Sequence, residues 1–364
     1  MKKLALAATT LGLAAGTAHA GGLDRSYTPI DPLFERGNYA ELSYGFTMPD
    51  VTGSDLLGNP ISNVGGDYGQ VGAALKIDFN DKLSLAMIYD QPYGAKVAYG
   101  GNPATTLLGG TRADAETHAL TTIVRYKITD RFSVYGGPRF VVAGGGITLS
   151  GLAYGPLNGY NVEFSDTTGA GYVAGAAYEI PDIALRAALT YHSPIDISLT
   201  TTDNIGTPVG TTDTELPQSV ELAVQSGINQ STLIFGSVRW SEWEAFSLNP
   251  PNPLVPNLAE LDNVVTYEIG VGKRFTEKFS GSVAVSYEDG GSDDLVSPLA
   301  PTNGQIGLTV GGKYMINDKM DVSGGIRYTW LGDAQPETGT PDTARGNFSN
   351  NSAVSLGLKF GYHF

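Results

Sequence analysis

Over residues 351–364 the chain places an apolar side chain at every second position. Val354, Leu356, Leu358, Phe360, Tyr362 and Phe364 alternate with Ser355, Gly357, Lys359 and His363. Successive side chains of a strand point to opposite faces, so this rhythm builds a sheet that is greasy on one side and polar on the other. The stretch from Arg131 to Ala143 repeats it, with Phe132, Val134, Phe140 and Val142 against Ser133, Tyr135 and Arg139. A helix would need a period of ~3.6, and neither segment has it.

About fourteen such segments are expected, near 38–48, 67–79, 82–92, 116–128, 131–147, 168–180, 183–201, 216–227, 231–243, 262–274, 278–290, 303–315, 319–331 and 351–364. Their connections alternate between short turns and long stretches. The turns carry Asn80-Asp81, Thr129-Asp130, Pro181-Asp182, Asn229-Gln230, Thr276-Glu277 and Asn317-Asp318, all residue types that favour tight reversals. The long stretches include 93–115, 148–167, 202–215, 244–261 and 332–350. Short turns at one end and long loops at the other are the asymmetry of bacterial outer-membrane barrels, and a soluble β-sandwich has no reason to keep it.

Composition agrees. Only 16% of residues are charged, where a soluble domain carries nearer ~25%. Yet no apolar run of about 18 residues follows the N-terminus, which excludes a helical membrane protein. Low charge without long apolar runs points to an all-β fold, a transmembrane antiparallel β-barrel. A net charge of −15 argues against a nucleic-acid partner. The chain has no cysteine, which removes disulfides, thiolate nucleophiles and cysteine-ligated metals.

Lys2 and Lys3, the apolar run Leu4 to Ala15 and the small-x-small pattern Ala18-His19-Ala20 read as a cleavable signal peptide over 1–20. Residues 21–37 are too few for a domain and too polar and proline-marked for a strand. They are expected either as a small plug in the barrel mouth or as a disordered periplasmic tail, with the barrel proper over 38–364. The terminal Phe364, closing an alternating strand, is the kind of signal the barrel-assembly machinery reads.

Catalysis finds little support. Beyond the leader only His118, His192 and His363 remain. His192 alone has luminal parity towards the outer side, and its neighbour Ser193 must face the other way on a strand, so the two cannot pair as nucleophile and base. No His/Asp/Glu cluster has metal-site spacing, so neither metal nor cofactor is expected.

Parity turns Glu41, Arg125, Arg139, Arg186, Glu221, Arg239, Glu268, Lys313, Arg327 and Lys359 towards the lumen, since a cation facing mid-bilayer lipid costs about 2–4 kcal/mol. They read first as a network of ion pairs filling the barrel; the sharper reading is that Arg139, Arg186, Arg239 or Arg327 meets an acidic headgroup. The third strand carries a fault. Asp90-Gln91-Pro92-Tyr93-Gly94 breaks the alternation of Leu83, Leu85, Met87 and Tyr89, and Ala95 to Tyr99 then resumes as extended chain. Proline cannot donate to a ladder and glycine permits a kink, so Pro92, Tyr93 and Gly94 mark either the strand's end or a gap through which an apolar molecule leaves sideways. Two loops are apolar for exposed segments, one with Leu149, Leu152, Tyr154 and Leu157, the other with Phe246 and Leu248. Such clusters mark ligand-binding surfaces, or the two loops pack on each other.

With these residues in view the chain resembles the FadL-like family of long-chain fatty-acid outer-membrane transporters, which also includes aromatic-hydrocarbon importers. The resemblance spans most of 38–364. Tyr89 to Tyr99 is similar to the family's third-strand kink; Leu189 to Ser193 with Ile195-Asp196-Ile197, Leu216-Pro217, and Trp240 to Phe246 also match in order and spacing. The family's hatch is longer than 21–37 and carries an Asn-Pro-Ala motif before the first strand; here Asn102-Pro103-Ala104 lies after the third strand and reads as a turn. The resemblance implies a fourteen-stranded barrel that takes a hydrophobic ligand between outer loops and releases it at Tyr93 and Gly94 into outer-membrane lipid. Long-chain fatty acids are the first expectation, neutral hydrocarbons the second, and a structural or adhesin barrel the reading from another class.

Overall fold

The computed structural model describes residues 23–26, 28–206, 208–291 and 294–364. The expected signal peptide lies outside the described residues, as do Gly21 and Gly22. Seventeen ladder segments form one closed sheet, and three strands are each broken in two, so the wall has fourteen strands. They are β1 Tyr39–Asp50, β2 Tyr68–Asp78, β3 Leu83–Asp90 continued as Gly94–Ala98, β4 Arg112–Lys127, β5 Phe132–Leu149 and β6 Tyr160–Ile180. Then follow β7 Leu185–His192 continued as Ile195–Asp203, β8 Gly210–Leu216 continued as Ser219–Asn229, β9 Thr232–Ser241 and β10 Val264–Arg274. The last four are β11 Phe279–Glu288, β12 Gln305–Met315, β13 Met320–Leu331 and β14 Asn351–His363. Every neighbour is antiparallel, and β1 pairs with β14 from Tyr39↔His363 to Asp50↔Ser352, closing the barrel.

The short turns use the side chains their sequence offers. Asn80 Oδ1 accepts from the amides of Lys82 and Leu83, Thr129 Oγ1 from Arg131 and Phe132, and Asn317 Oδ1 from Lys319 and Met320. Each turn residue thereby satisfies donors that the reversal strips from the ladder. At the other end the strands run further than alternation suggested. β5 reaches Leu149 and β6 begins at Tyr160, and β7 and β8 extend to Asp203 and back from Gly210. Their outer halves mix glycine, threonine and charge, so pairing rather than hydropathy holds them as strands.

Outward positions carry Leu42, Leu75, Val124, Leu222, Val271, Val310 and Leu358, all exposed. Aromatic residues gather at both rims of this apolar band: Phe79, Tyr126, Phe275, Phe279, Tyr362 and Phe364 near the short turns, and Tyr89, Tyr172, Tyr191, Trp240, Tyr287 and Trp330 towards the loops. Lipid-facing barrels place amphipathic rings at both interfaces.

Residues 23–26 and 28–37 run inside the barrel. A 3-10 turn, Asp31–Phe34, buries Leu33 fully against Ala74, Ala86, Ile88, Ile123, Tyr135, Val173, Ala177 and Ala188. The many alanines on this inner wall leave the room that Leu33 fills. Phe34 lies between two guanidinium groups, Arg125 at 4.6 Å and Arg186 at 4.4 Å from its ring centre, and meets Tyr135 edge-on at 5.8 Å. Above the wall, segments Gly53–Asp55, Pro60–Ile61 and Gly346–Phe348 form a small sheet over a separate apolar cluster of Val51, Ile61, Val64, Tyr99, Leu108, Leu331, Ala334 and Phe348.

Candidate functional site: a wall gap and two luminal cavities

The break in β3 is a real opening in the ladder. β3 pairs with β2 from Asp78↔Ser84 to Ala73↔Tyr89, while its continuation Gly94–Ala98 pairs with β4, from Gly94↔Glu116 to Ala98↔Arg112. The continuation forms no ladder with β2 among the described residues, only a bridge from Val97 to Gly65 before β2. Residues 68–72 of β2 therefore face no β3 ladder among the described residues. Pro92 has no amide hydrogen to donate, and Thr117 takes up the groups of the next residue: its Oγ1 accepts from the Tyr93 amide at 2.9 Å and donates to the Tyr93 carbonyl at 2.8 Å. Gln91 closes the lower end of the gap, its Oε1 accepting from the Val71 amide at 2.8 Å and its Nε2 donating to Glu116. The upper end is closed by the Gly66 amide on the Lys96 carbonyl and the Ala98 amide on the Val64 carbonyl, both at 2.9 Å.

From inside, the N-terminal segment lies across this gap. The Gly94 amide donates to the Leu23 carbonyl at 2.8 Å and the Arg25 amide to the Pro92 carbonyl at 2.7 Å. Arg25 is buried, with its guanidinium 4.4 Å from the centre of the Tyr68 ring. A Cβ on Gly94 would stand 2.4 Å from the Arg25 Cζ, so the glycine is what lets the arginine fill the opening. Burial pulls the Arg25 guanidinium below its usual pKa, against the attraction of Tyr68, Glu116 and Asp114; an arginine keeps its charge through such a shift. Thr28 extends the clamp, donating to Asp90 at 3.1 Å and accepting from Arg139 at 2.9 Å.

Two cavities meet at this segment. The one towards the loops, about 90 Å³, is walled by Leu23, Tyr93, Ala113, Phe164, Leu216 and Phe246 among others, and Asp114 is the single charged residue on its wall among the described residues. The glycine run Gly144-Gly145-Gly146 of β5 lines it and leaves it width. The one below, about 250 Å³, is lined by Arg25, Asp31, Glu41, Asp90, Arg186, Glu221, Arg239, Glu268, Arg327 and Lys359. Trp243, fully buried in the apolar cluster around the upper cavity, meets Tyr93 edge-on at 5.4 Å and Phe246 at 5.7 Å.

Pro92, Tyr93 and Gly94 thus sit together at the gap. Phe246 and Leu248 reach the apolar cavity, whereas Leu149, Tyr154 and Leu157 belong to the surrounding apolar cluster without touching its wall, and Leu152 points outward, 47% exposed. The two apolar loops do pack into one cluster. The four luminal arginines are engaged: Arg139 with Thr28, Arg186 with Asp31 at 2.7 Å, Arg239 with Asp24 at 3.9 Å, and Arg327 with Ser286 at 2.7 Å. Asn102-Pro103-Ala104 is a turn, the Asn102 side chain accepting from the Ala104 amide. Sequence reasoning missed Leu23 to Ser26, Gln91 as the bolt of the gap, Trp243 as the partner of Tyr93 and Asp24, and the Leu299-Ala300 wall. A rare tryptophan inside an apolar loop, and an apolar Pro298-Leu299-Ala300-Pro301 stretch inside a polar one, were the available signals.

A family model described as outer membrane protein transport protein (OMPP1/FadL/TodX) matches residues 69–364. The chain belongs to this family. As a FadL/TodX-family protein it is an outer-membrane channel for hydrophobic substrates and not an enzyme; His192 is buried, and the Ser193 hydroxyl is taken by the Tyr172 amide at 2.9 Å. Among solved structures it resembles a Pseudomonas aeruginosa FadL homologue, at 16% identity over 97% of this chain and 98% of that one, with a TM-score of 0.75. The Pseudomonas putida toluene transporter TodX follows at 16% identity, 96% and 98% coverage and a TM-score of 0.66, and the Ralstonia pickettii toluene transporter TbuX at 13%, 97% and 98%, and 0.64. At these identities the likeness is one of fold. No curated protein matches the sequence significantly.

Proposed function

We propose that this FadL/TodX-family channel carries compact, neutral hydrophobic molecules of the monoaromatic kind, and releases them sideways into the membrane through the gap at Pro92, Tyr93 and Gly94. The observation that carries this reading is the apolar cavity abutting the gap, whose wall holds one carboxylate and no cation among the described residues. Burying a carboxylate there would leave it unpaired beside Asp114, at a cost of several kcal/mol. An arene has no such cost and gains from leaving water. The luminal arginines of the lower cavity are already engaged, as a structural network requires, so a fatty-acid headgroup would have to displace an existing partner.

In this reading residues 21–37 act as the hatch: ligand in the apolar cavity loosens Leu23 to Ser26 from Pro92 and Gly94, Arg25 leaves the gap, and the ligand passes to outer-membrane lipid. The terminal Phe364, exposed beside Tyr362, is offered to the barrel-assembly machinery. The test compares uptake of labelled toluene and labelled oleate by cells with and without the protein, and with Gly94→Val. Protein-dependent toluene uptake that Gly94→Val lowers is expected. Protein-dependent uptake of oleate alone overturns the substrate class, and uptake unchanged by Gly94→Val in a folded barrel overturns the lateral route.

A further inference from the structure

The barrel wall has a second fault, between β6 and β7. The two strands pair from Leu185↔Ile180 to His192↔Val173 and again at Thr201↔Phe164 to Asp203↔Val162, but no ladder joins 165–172 to 193–200 among the described residues. The register is the same on both sides of the break, so nothing has slipped along the strand axis. What fails is the phase of the side chains. β7 changes face at Ser193-Pro194: His192 and Ser193 are both buried, and burial then falls on Ile195, Ile197 and Leu199. β6 changes face only at Ser165-Asp166, two adjacent exposed residues, where its register with β5 also shifts. Between those two points buried Ile195 stands across from exposed Ala170, and buried Ile197 from exposed Thr168. Partners in a ladder must share a face, so pairing is lost until both strands have turned.

The seam is shut by side chains alone. A Cβ on Gly169 would lie 2.5 Å from the Ile195 Cγ2 and 2.7 Å from the Ile197 Cγ1, and one on Gly171 2.7 Å from the Ile195 Cγ1. The two isoleucines therefore rest on bare backbone. At the lower end the Ser193 amide donates to the Tyr172 carbonyl and the Tyr172 amide to Ser193 Oγ, both at 2.9 Å, and the ladder resumes at the upper end at Thr201↔Phe164. Unpaired strand edges cannot face dry hydrocarbon. The outward residues above the Tyr172 rim are Ser165, Asp166, Thr168, Asp196, Ser198 and Thr200, which puts the seam at the polar surface of the outer leaflet. At its upper end Phe164 of β6 and Leu199 of β7, with Leu216 of β8, line the apolar cavity. By contrast, the loop after β9 that contributes Phe246, Leu248 and Ala259 to that cavity is braced within itself, the Leu258 amide bonded to the Leu248 carbonyl and the Leu248 amide to Asn257 Oδ1, each at 2.9 Å. Trp243 and Asp24 tie it to the N-terminal segment.

We propose that the β6–β7 seam is a lateral inlet, through which a neutral hydrophobic molecule at the outer-leaflet surface reaches the apolar cavity, with Ile195 and Ile197 as its shutter. The proposal rests on the transport reading above and adds where the ligand comes in. Passage breaks no ladder hydrogen bond and moves two apolar side chains. The molecule then passes through the cavity to the β3 gap, which lies four strands round the fourteen-strand wall from the seam.

The chain lacks cysteine, so Ala170→Cys with Asp196→Cys, both on outward faces flanking the seam, can be joined by a short reversible thiol cross-linker. Cross-linking is expected to abolish most toluene uptake, and reduction to restore it. Equal uptake in the joined and reduced states overturns the inlet. Widening the shutter with Ile195→Ala and Ile197→Ala is expected to raise the initial uptake rate; an unchanged rate in a folded barrel likewise overturns it. Absence of toluene uptake by the unmodified protein would overturn the transport reading itself, and the inlet with it.

Discussion

The Trp243 indole N–H donates to Asp24 Oδ2 at 2.9 Å, joining the loop after β9 to the N-terminal segment more than two hundred residues earlier. Both residues are buried, and Arg239 stands 3.9 Å from the same carboxylate. One bond thus ties the loop after β9 to the segment that lies across the wall gap. Movement at either end is felt at the other.

Trp243→Phe keeps the ring that meets Tyr93 but removes the donor from a buried carboxylate, a loss of about 1–3 kcal/mol. The expected result is a lower unfolding midpoint in detergent together with easier proteolysis within 23–28. Full protection of that segment in the variant would show that the tether does not hold it.

Arg25→Ala empties the gap of the side chain that Gly94 accommodates. Losing the contact with Tyr68 costs about 1 kcal/mol of segment docking, while the ladder bonds on Pro92 and Gly94 remain. Initial toluene uptake is expected to rise, and Arg25→Lys to fall between the variant and the native protein. A fall in uptake with Arg25→Ala would make the arginine part of the path and not its stopper.

Leu33→Ala opens a cavity under the 3-10 turn, where the leucine is fully buried among small wall residues. Such truncations cost about 2–5 kcal/mol. Because that energy docks the segment and not the barrel wall, ion conductance in planar bilayers should increase while the heat-resistant barrel persists. Conductance equal to that of the native protein would count against residues 31–34 as the luminal seal.

Asp55, in the loop after β1, joins two outer loops. Burial pushes its carboxyl up, but hydrogen bonds from the Asn59 side chain and from the amides of Asn59, Leu107 and Leu57 outweigh this and hold it below the usual carboxylate value. A depressed folded pKa means the stabilisation is complete above the unfolded value of ~3.9 and is lost as pH falls through the lower folded one. Protection factors of the Leu57, Asn59 and Leu107 amides, after correction for the intrinsic pH dependence of exchange, should fall as pH is lowered past that range, and Asp55→Asn should abolish the transition. Protection factors that do not change with pH in the native protein would refute the linkage.

The wall was legible in the sequence because a two-residue period needs no tertiary information. Leu356, Leu358, Phe360, Tyr362 and Phe364 face lipid whatever lies beside them, and Asn80, Thr129 and Asn317 bring their own turn acceptors. The kink was legible too, since Pro92 has no amide hydrogen to give a ladder and Gly94 permits the chain to bend. The phase changes at Ser193-Pro194 and Ser165-Asp166 were not, because each looks like ordinary noise in one strand and matters only when the two are laid side by side. Extended ends such as Leu149 and Gly210 escaped for a related reason: backbone pairing outside the bilayer imposes no hydropathy rule.

Local covalent chemistry by itself determined that this chain makes a closed, membrane-spanning sheet with one weak strand, since alternation, turn residues and proline act within a few positions of themselves. Only the tertiary structure decided what fills the opening and what surrounds the ligand. Arg25 meets Tyr68 and Gly94, Trp243 meets Asp24, and Ile195 rests on Gly169, because closing the barrel brings together residues whose separation along the chain carries no signal of contact.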